Sequence, residues 1–162
     1  MKLATAAKDK KCPSKKEVLL HISVILMTFL VIGAFAYMIS NPGKTQADTR
    51  NIERSSEISS IMEAVATYTS NTGNIPSVIP INRECASIGN EICRTGVADC
   101  KNHVDLSEVT SGSDLKILPT DTTRDWGNGT GYYISNNGEG SVIICAPFAE
   151  RNVNITLKQF MF

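Results

Sequence analysis

The chain has 162 residues, 42% of them hydrophobic and 20% charged, and its sixteen basic and sixteen acidic side chains cancel. Less one apolar segment near the N-terminus, that length allows a single soluble domain of modest size. The charge is unevenly spread: residues 1–17 carry +4 and the remainder −4. A basic clump beside a mildly acidic domain with no evident cationic face excludes nucleic acid as the main partner.

Residues 1–17 hold Lys2, Lys8, Lys10, Lys11, Lys15 and Lys16 against Asp9 and Glu17. The next stretch, "VLLHISVILMTFLVIGAFAYMI" over residues 18–39, contains no Asp, Glu, Lys or Arg. As a helix it spans ~33 Å, enough for the hydrocarbon core of a bilayer. Lysines precede it, and only Lys44 and Arg50 follow closely. The positive-inside rule then predicts a single-pass protein of the cell membrane, with residues 1–17 cytoplasmic and everything after Ile39 extracytoplasmic. A cleaved secretory signal has a shorter apolar core and a small-x-small site, to which "AFAYM" is the nearest approach, so the segment is read as a retained anchor. His21, one turn from the cytoplasmic end, is read as a neutral imidazole near the headgroups.

"SNPGKTQADT" then interrupts the helix through Asn-Pro-Gly, and Thr45 followed by Asp48 looks like a restart. Over residues 40–76, Ile52, Ile58, Ile61, Met62, Val65 and Tyr68 recur mainly at three- and four-residue steps, which predicts an amphipathic helix. Arg50, Glu53, Arg54, Glu57 and Glu63 are assigned to its wet side. Gly73 suits a left-handed C-terminal position, with Pro76 three residues beyond.

Residues 77–114 show little periodicity, with a short helical turn expected in "DLSEVTSGSDL". Cys12 falls on the cytoplasmic side and is expected to stay reduced. Cys85, Cys93, Cys100 and Cys145 fall on the exported side, which suggests two disulfides and leaves three pairings open. In one of them Cys93–Cys100 closes the short "CRTGVADC" loop and Cys85–Cys145 ties the mid-chain loop to a late strand. The rival reading is zinc, because Cys100 and His103 have ligand-like spacing, but no second close pair supports it. Over residues 115–162 the pattern turns to period two. "GYYIS" and "SVIICA" flank "NNGEG", a hairpin connection in which Gly138 takes positive φ. "VNITL" sets Val153, Ile155 and Leu157 toward one face as a further strand. The prediction is an α+β fold, a long helix first membrane-spanning and then amphipathic, packed on a C-terminal antiparallel sheet of three to four strands.

Several short stretches taken together carry a resemblance. Arg50, Asn51, Arg54, Glu57, Ile58, Ile61, Ala64, Val65, Tyr68, Asn71, Gly73 and Pro76 follow the form Arg-Asp-x-x-Arg-x-x-Asp-(Ile/Leu)-x-x-Ile-x-x-Ala-(Leu/Val), then Tyr, then Asn-x-Gly-x-x-Pro. "EICRTGVADC", "VDLSEVTSG", "ILPTD", "GNGTGYYIS" and "APFAE" complete the pattern, and "DWGN" before "GYY" resembles an Asp-Pro-Trp-Gly-Asn-Pro-Tyr segment. Over residues 48–151 the chain is similar to type IV pilins and type II secretion pseudopilins, and most to the pilin-like proteins of small-genome bacterial lineages. That likeness includes the close cysteine pair. It implies a structural subunit, more minor than major, that contacts other pilin-like subunits through residues 18–39 and meets a prepilin peptidase and assembly machinery.

The membrane boundary departs from the family. Where relatives have Gly-Phe-Thr-Leu-Ile-Glu, with cleavage after the Gly, this chain has Glu17 and Val18 at the cut and Ile22 at the Glu position. Ile22 removes the carboxylate that neutralises a buried ammonium in a filament core. The alternative expectation is therefore an uncleaved, membrane-anchored extracytoplasmic binding or assembly module that has the pilin fold and does not polymerise.

Catalytic signals are weak. His103 has only local companions in Cys100, Asp105 and Ser107, and no nucleophile elbow or zincin helix is present, so the chain is not expected to be an enzyme. "LPTDTTRDWGNGTG" concentrates oxygen ligands in Asp121, Asp125 and Asn128, with Asn136 and Glu139 across the hairpin. Some pseudopilins hold calcium in this region, and these are hard-cation groups, though without EF-hand spacing. Trp126, the one tryptophan, is expected to cover the edge of the sheet.

Overall fold

The computed structural model describes residues 14–40, 42–123 and 125–162. Most of the lysine-rich leader, including Cys12, lies outside the described residues. The chain divides into two units, Met1–Lys44 and Thr45–Phe162. The helices are α1 (Lys15–Ser40), α2 (Pro42–Thr72) and the short α3 (Ser107–Ser111). The strands are β1 (Glu91–Cys93), β2 (Gly129–Asn136), β3 (Ser141–Ala146) and β4 (Ile155–Phe160), with a 3-10 turn at Glu150–Asn152.

In the first unit α1 is apolar all round and buries none of it: Leu19, Val24, Phe29, Val31, Phe35 and Ile39 are all exposed. Such a helix matches a bilayer rather than water. Lys15–Tyr37 is long and apolar enough to cross a membrane. The polar side chains within it are satisfied by the helix itself. His21 Nδ1 lies 2.6 Å from the Glu17 carbonyl, Ser23 Oγ donates to Leu20 O at 2.8 Å, and Thr28 Oγ1 donates to Val24 O at 2.7 Å.

In the second unit the architecture is α+β, with α2 on one face of a four-stranded antiparallel sheet ordered β1-β2-β3-β4. The β2–β3 hairpin pairs Asn136 with Val142 and Tyr133 with Cys145, and Gly138 sits at φ 78° in its turn, as the pattern predicted. Because side chains alternate across a strand, Tyr132 and Ile134, Val142, Ile144 and Ala146, and Ile155 all reach the core. There they meet Ile58, Ile61, Met62 and Val65 of α2. The helix ends as expected at Thr72, with Gly73 at φ 73° and its N–H on Thr69 O at 2.8 Å.

Four expectations need correction. The second helix begins at Pro42 rather than near Thr45, since proline suits a first helical position where no N–H is required. Ile52 is 70% exposed. The buried stripe runs Ala47, Asn51, Arg54, Ile58, Ile61, Val65, Thr69, and one residue off that stripe turns a side chain by about 100°. Arg54, assigned to the wet side, is the largest fully buried side chain. Val153 lies outside β4 and is exposed, leaving Ile155 and Leu157 to face inward. The irregular segment 77–114 also does more than link: it supplies β1 and the core residues Ile79, Ile92, Val104, Leu106 and Val109.

Candidate functional site

Two parts of the molecule bear on function: the start of α1, and the polar seam that fixes α2 to the sheet. At the first, Ser14 and Glu17 cap each other. The Ser14 N–H donates to Glu17 Oε2 at 2.7 Å, and the Glu17 N–H donates to Ser14 Oγ at 3.4 Å. This is a capping box, which satisfies two of the helix's otherwise orphaned donors. The Glu17–Val18 bond, the position of the expected processing cut, thus lies within the first helical turn, and the Val18 N–H is bonded to Ser14 O at 3.0 Å.

The seam begins on α2, where Arg50, Asn51 and Arg54 lie three and four residues apart and so share one face. Arg54 Nε donates to Asp121 Oδ2 at 2.9 Å and its second terminal nitrogen to Asp121 Oδ1 at 3.3 Å. It also donates to Asn51 Oδ1 at 2.8 Å and Thr123 Oγ1 at 3.2 Å. The Arg54 and Asp121 side chains are only 2% and 3% exposed, so this ion pair is out of water. Burial alone would push the Asp121 carboxyl up, but hydrogen bonds from Arg54 and Thr123 hold it below its ordinary value. Asn51 bridges to the turn after β3, giving its Nδ2 to Glu150 O and accepting the Glu150 N–H, both at 3.0 Å. Arg50 grips the Glu150 carboxylate with two 2.7 Å bonds, which hold Glu150 below and Arg50 above their ordinary values. Arg151 pairs with Asp48 one turn earlier on the helix.

Below this, the buried Tyr132 hydroxyl of β2 donates to Glu57. Burial pushes the Glu57 carboxyl up; the Tyr132 bond opposes this, while the Asp121 and Glu53 charges add to it. Tyr132 itself is pushed far above the ordinary phenol, by burial first and then by Glu57. The seam therefore holds α2 at two loops of the sheet by directional, charge-assisted bonds.

Cys85, Cys93, Cys100 and Cys145 form the disulfides Cys93–Cys100 and Cys85–Cys145, bridging separations of 7 and 60 residues. Cys85–Cys145 lies on the sheet face opposite α2, where Trp126 also packs. Its ring lies over Gly131, meets Phe148 at 4.6 Å, and gives its Nε1 proton to Asp121 O at 2.7 Å. His103 faces Glu91 at 3.7 Å rather than a cysteine sulfur.

The calcium candidates are dispersed. Asp121 is engaged by Arg54, Asp125 Oδ1 accepts the Gly127 N–H at 2.9 Å, and Asn128 Nδ2 donates to Asp99 O at 2.9 Å. Glu139 and Asn136 belong to the hairpin at the far end of β2, ~23 Å away along an extended strand. Among the described residues no group of three or more His, Cys, Asp or Glu side chains is placed to hold a metal ion.

The buried Arg54–Asn51 part of the seam escaped sequence reading, because nothing local distinguishes an arginine facing water from one facing a buried aspartate 67 residues on. Its one trace was the Arg50-Asn51-Arg54-Glu57 string. No known protein family, curated protein or solved structure matches the chain.

Proposed function

We propose that this is a pilin-like structural protein of a type IV pilus or type II secretion-like system, anchored by α1. Its residues 1–17 would lie in the cytoplasm and its disulfide-bonded domain outside. The observation that supports this reading is the pairing of an all-apolar exposed helix with an α+β domain whose first helix lies along an antiparallel sheet. In the filament form, residues 18–39 pack against those of other pilin-like subunits once a prepilin peptidase has cut at Glu17–Val18.

A second reading keeps the leader and leaves an anchored binding or assembly module that does not polymerise. The capping box favours it. Cutting after Glu17 would remove both partners of the cap, and the bond to be cut is folded into a helical turn. The intact mass and first residue of protein taken from its native membrane separate the two. A start at Val18 supports the filament subunit, and a start at Met1 supports the anchored module. A protein recovered from the soluble fraction with residues 18–39 intact would refute both.

A further inference from the structure

The outer side of β4 is uncovered. Among the described residues this strand hydrogen-bonds to β3 alone. The opposite edge of the sheet is closed, because Val104 pairs with β1, accepting the Cys93 N–H at 2.9 Å and donating to Glu91 O at 2.7 Å. The β4 ladder runs without a bulge over six residue pairs, from Ser141–Phe160 to Ala146–Ile155, and Ile155–Phe160 contains neither proline nor glycine. Such an edge is a template for another strand.

The ladder fixes which groups face out. The Met161 N–H donates inward to Gly140 O at 3.0 Å. Bonded and non-bonded residues alternate in an antiparallel pair, so Leu157 and Gln159 also bond to β3, while Thr156, Lys158 and Phe160 turn their N–H and C=O outward. Phe160 and Phe162 are 66% and 79% exposed. Together they leave on the order of 300 Å² of aromatic surface in water on each copy.

A lysine on an edge strand ordinarily guards against self-pairing. Here it selects a register. Two antiparallel copies of β4 are related by a two-fold axis perpendicular to the sheet, so one residue sits opposite its own copy. An axis at Lys158 sets like charges face to face, which is destabilising. An axis at Leu157 leaves Phe162 beyond the ladder, and one at Phe160 leaves the Thr156 groups unpaired. An axis at Gln159 sets Lys158 opposite Phe160 of the second copy, Thr156 opposite Phe162, and Leu157 opposite Met161. The outward groups of Thr156, Lys158, Phe160 and Phe162 then pair in about eight hydrogen bonds. The cation-over-ring contact that Lys158 Nζ makes with its own Phe160, at 5.4 Å, becomes available across the axis.

We propose that the open edge of β4 binds a second copy of this chain, joining the two sheets about a two-fold axis at Gln159. With one open edge per sheet the contact closes on itself, and no third copy can add. Even fully covered on both copies, the phenylalanines contribute about 600 Å², below the size of a standard interface. The dimer is therefore weak, and favoured where a shared micelle concentrates the chains. It does not depend on whether α1 is cleaved, so it stands or falls apart from the proposed function.

The test is crosslinking of the full chain in detergent micelles, with Cys12→Ser removing the cysteine outside the two disulfides. A cysteine is introduced at exposed Gln159 or exposed Thr156 and oxidised with copper phenanthroline. On the axis, residue 159 meets its own copy with Cα atoms ~4.5 Å apart, within disulfide reach, whereas residue 156 lies ~20 Å from its copy. Gln159→Cys should therefore link into a dimer at least about tenfold faster than Thr156→Cys. Adding Phe160→Lys, an exposed change that sets a like charge opposite Lys158, should slow the Gln159→Cys linkage about tenfold with Trp126 fluorescence unchanged. If that fluorescence changes, the comparison of Gln159→Cys with Thr156→Cys decides by itself. Equal rates at the two positions, as random collision or contact through α1 gives, overturn the proposal, and so does a linkage that Phe160→Lys leaves untouched. A Gln159→Cys chain that stays unlinked also overturns it, and leaves the edge to a strand of a different protein.

Discussion

The buried ion pair between α2 and the loop before β2 makes a quantitative prediction. Replacing Arg54 with Met keeps an unbranched apolar stem in place of the aliphatic part of the side chain and removes its charge, leaving Asp121 ionised at 3% exposure with only Thr123 as a hydrogen-bond donor. Breaking a buried pair from one side costs about 3–5 kcal/mol, because the orphaned charge stays desolvated. Asp121→Asn takes the buried carboxylate from the Arg54 guanidinium but leaves it Asn51 Oδ1 and the Glu150 carboxylate at 3.8 Å, so it should cost less, about 1.5–3 kcal/mol. In Arg54→Met/Asp121→Asn no buried charge remains, and the amide oxygen still accepts from Thr123. The double variant should therefore lie within about 1–2 kcal/mol of the wild type, giving a coupling energy of at least about 2.5 kcal/mol. Urea unfolding of the detergent-solubilised chain measures this, followed by Trp126 fluorescence. Trp126 is a local reporter, since its indole N–H is bonded to the Asp121 carbonyl. If Arg54→Met loses less than about 1 kcal/mol, or the double variant loses the sum of the two singles, the pair does not hold the helix to the sheet.

Three further outcomes follow from the same geometry. Replacing Cys85 and Cys145 by serine should destabilise by about 4 kcal/mol and replacing Cys93 and Cys100 by about 2.5 kcal/mol, since the longer closed loop restrains the unfolded chain more; equal losses in denaturant titration would contradict this. Asp121 and Glu150 are held low, so each contributes stability that is complete above about pH 4.5 and is lost as pH falls through its folded value. Glu57 is held high, so its contribution runs the other way, complete below about pH 4 and lost as pH rises through its folded value. Glu57→Gln should therefore be at least as stable as the wild type at pH 7, with the difference shrinking as pH falls toward 4, as thermal melts across pH would show. Gly131→Ala meets two obstacles, a φ of 81° and a Cβ that would lie 2.6 Å from the Trp126 ring. It should lose about 2 kcal/mol or more and shift the tryptophan emission; an unchanged spectrum would mean that the ring does not rest on this glycine.

Local chemistry alone settled a good part of this molecule. An uncharged run of 22 residues between lysines and a Pro-Gly break is long and apolar enough to cross a bilayer, so the apolar helix was legible. Gly73 and Pro76 ended the next helix because only backbone rules were at stake. The β2–β3 hairpin followed from period-two patterning around a glycine-rich turn, and the α+β class from their order. What the tertiary structure decided were the pairings across distance. Ile52 was misplaced because one residue of phase, about 100°, decides which side of a helix is inside, and that phase is set by the sheet. β1 was invisible because three residues carry no period, and Glu91–Cys93 is a strand only through its ladder to β2. Arg54 reads as a surface residue by its own chemistry. It becomes interior only because Asp121, 67 residues later, supplies the opposite charge at bonding distance. A charge's cost of burial depends on its partner, and the linear sequence does not say which partner it will meet.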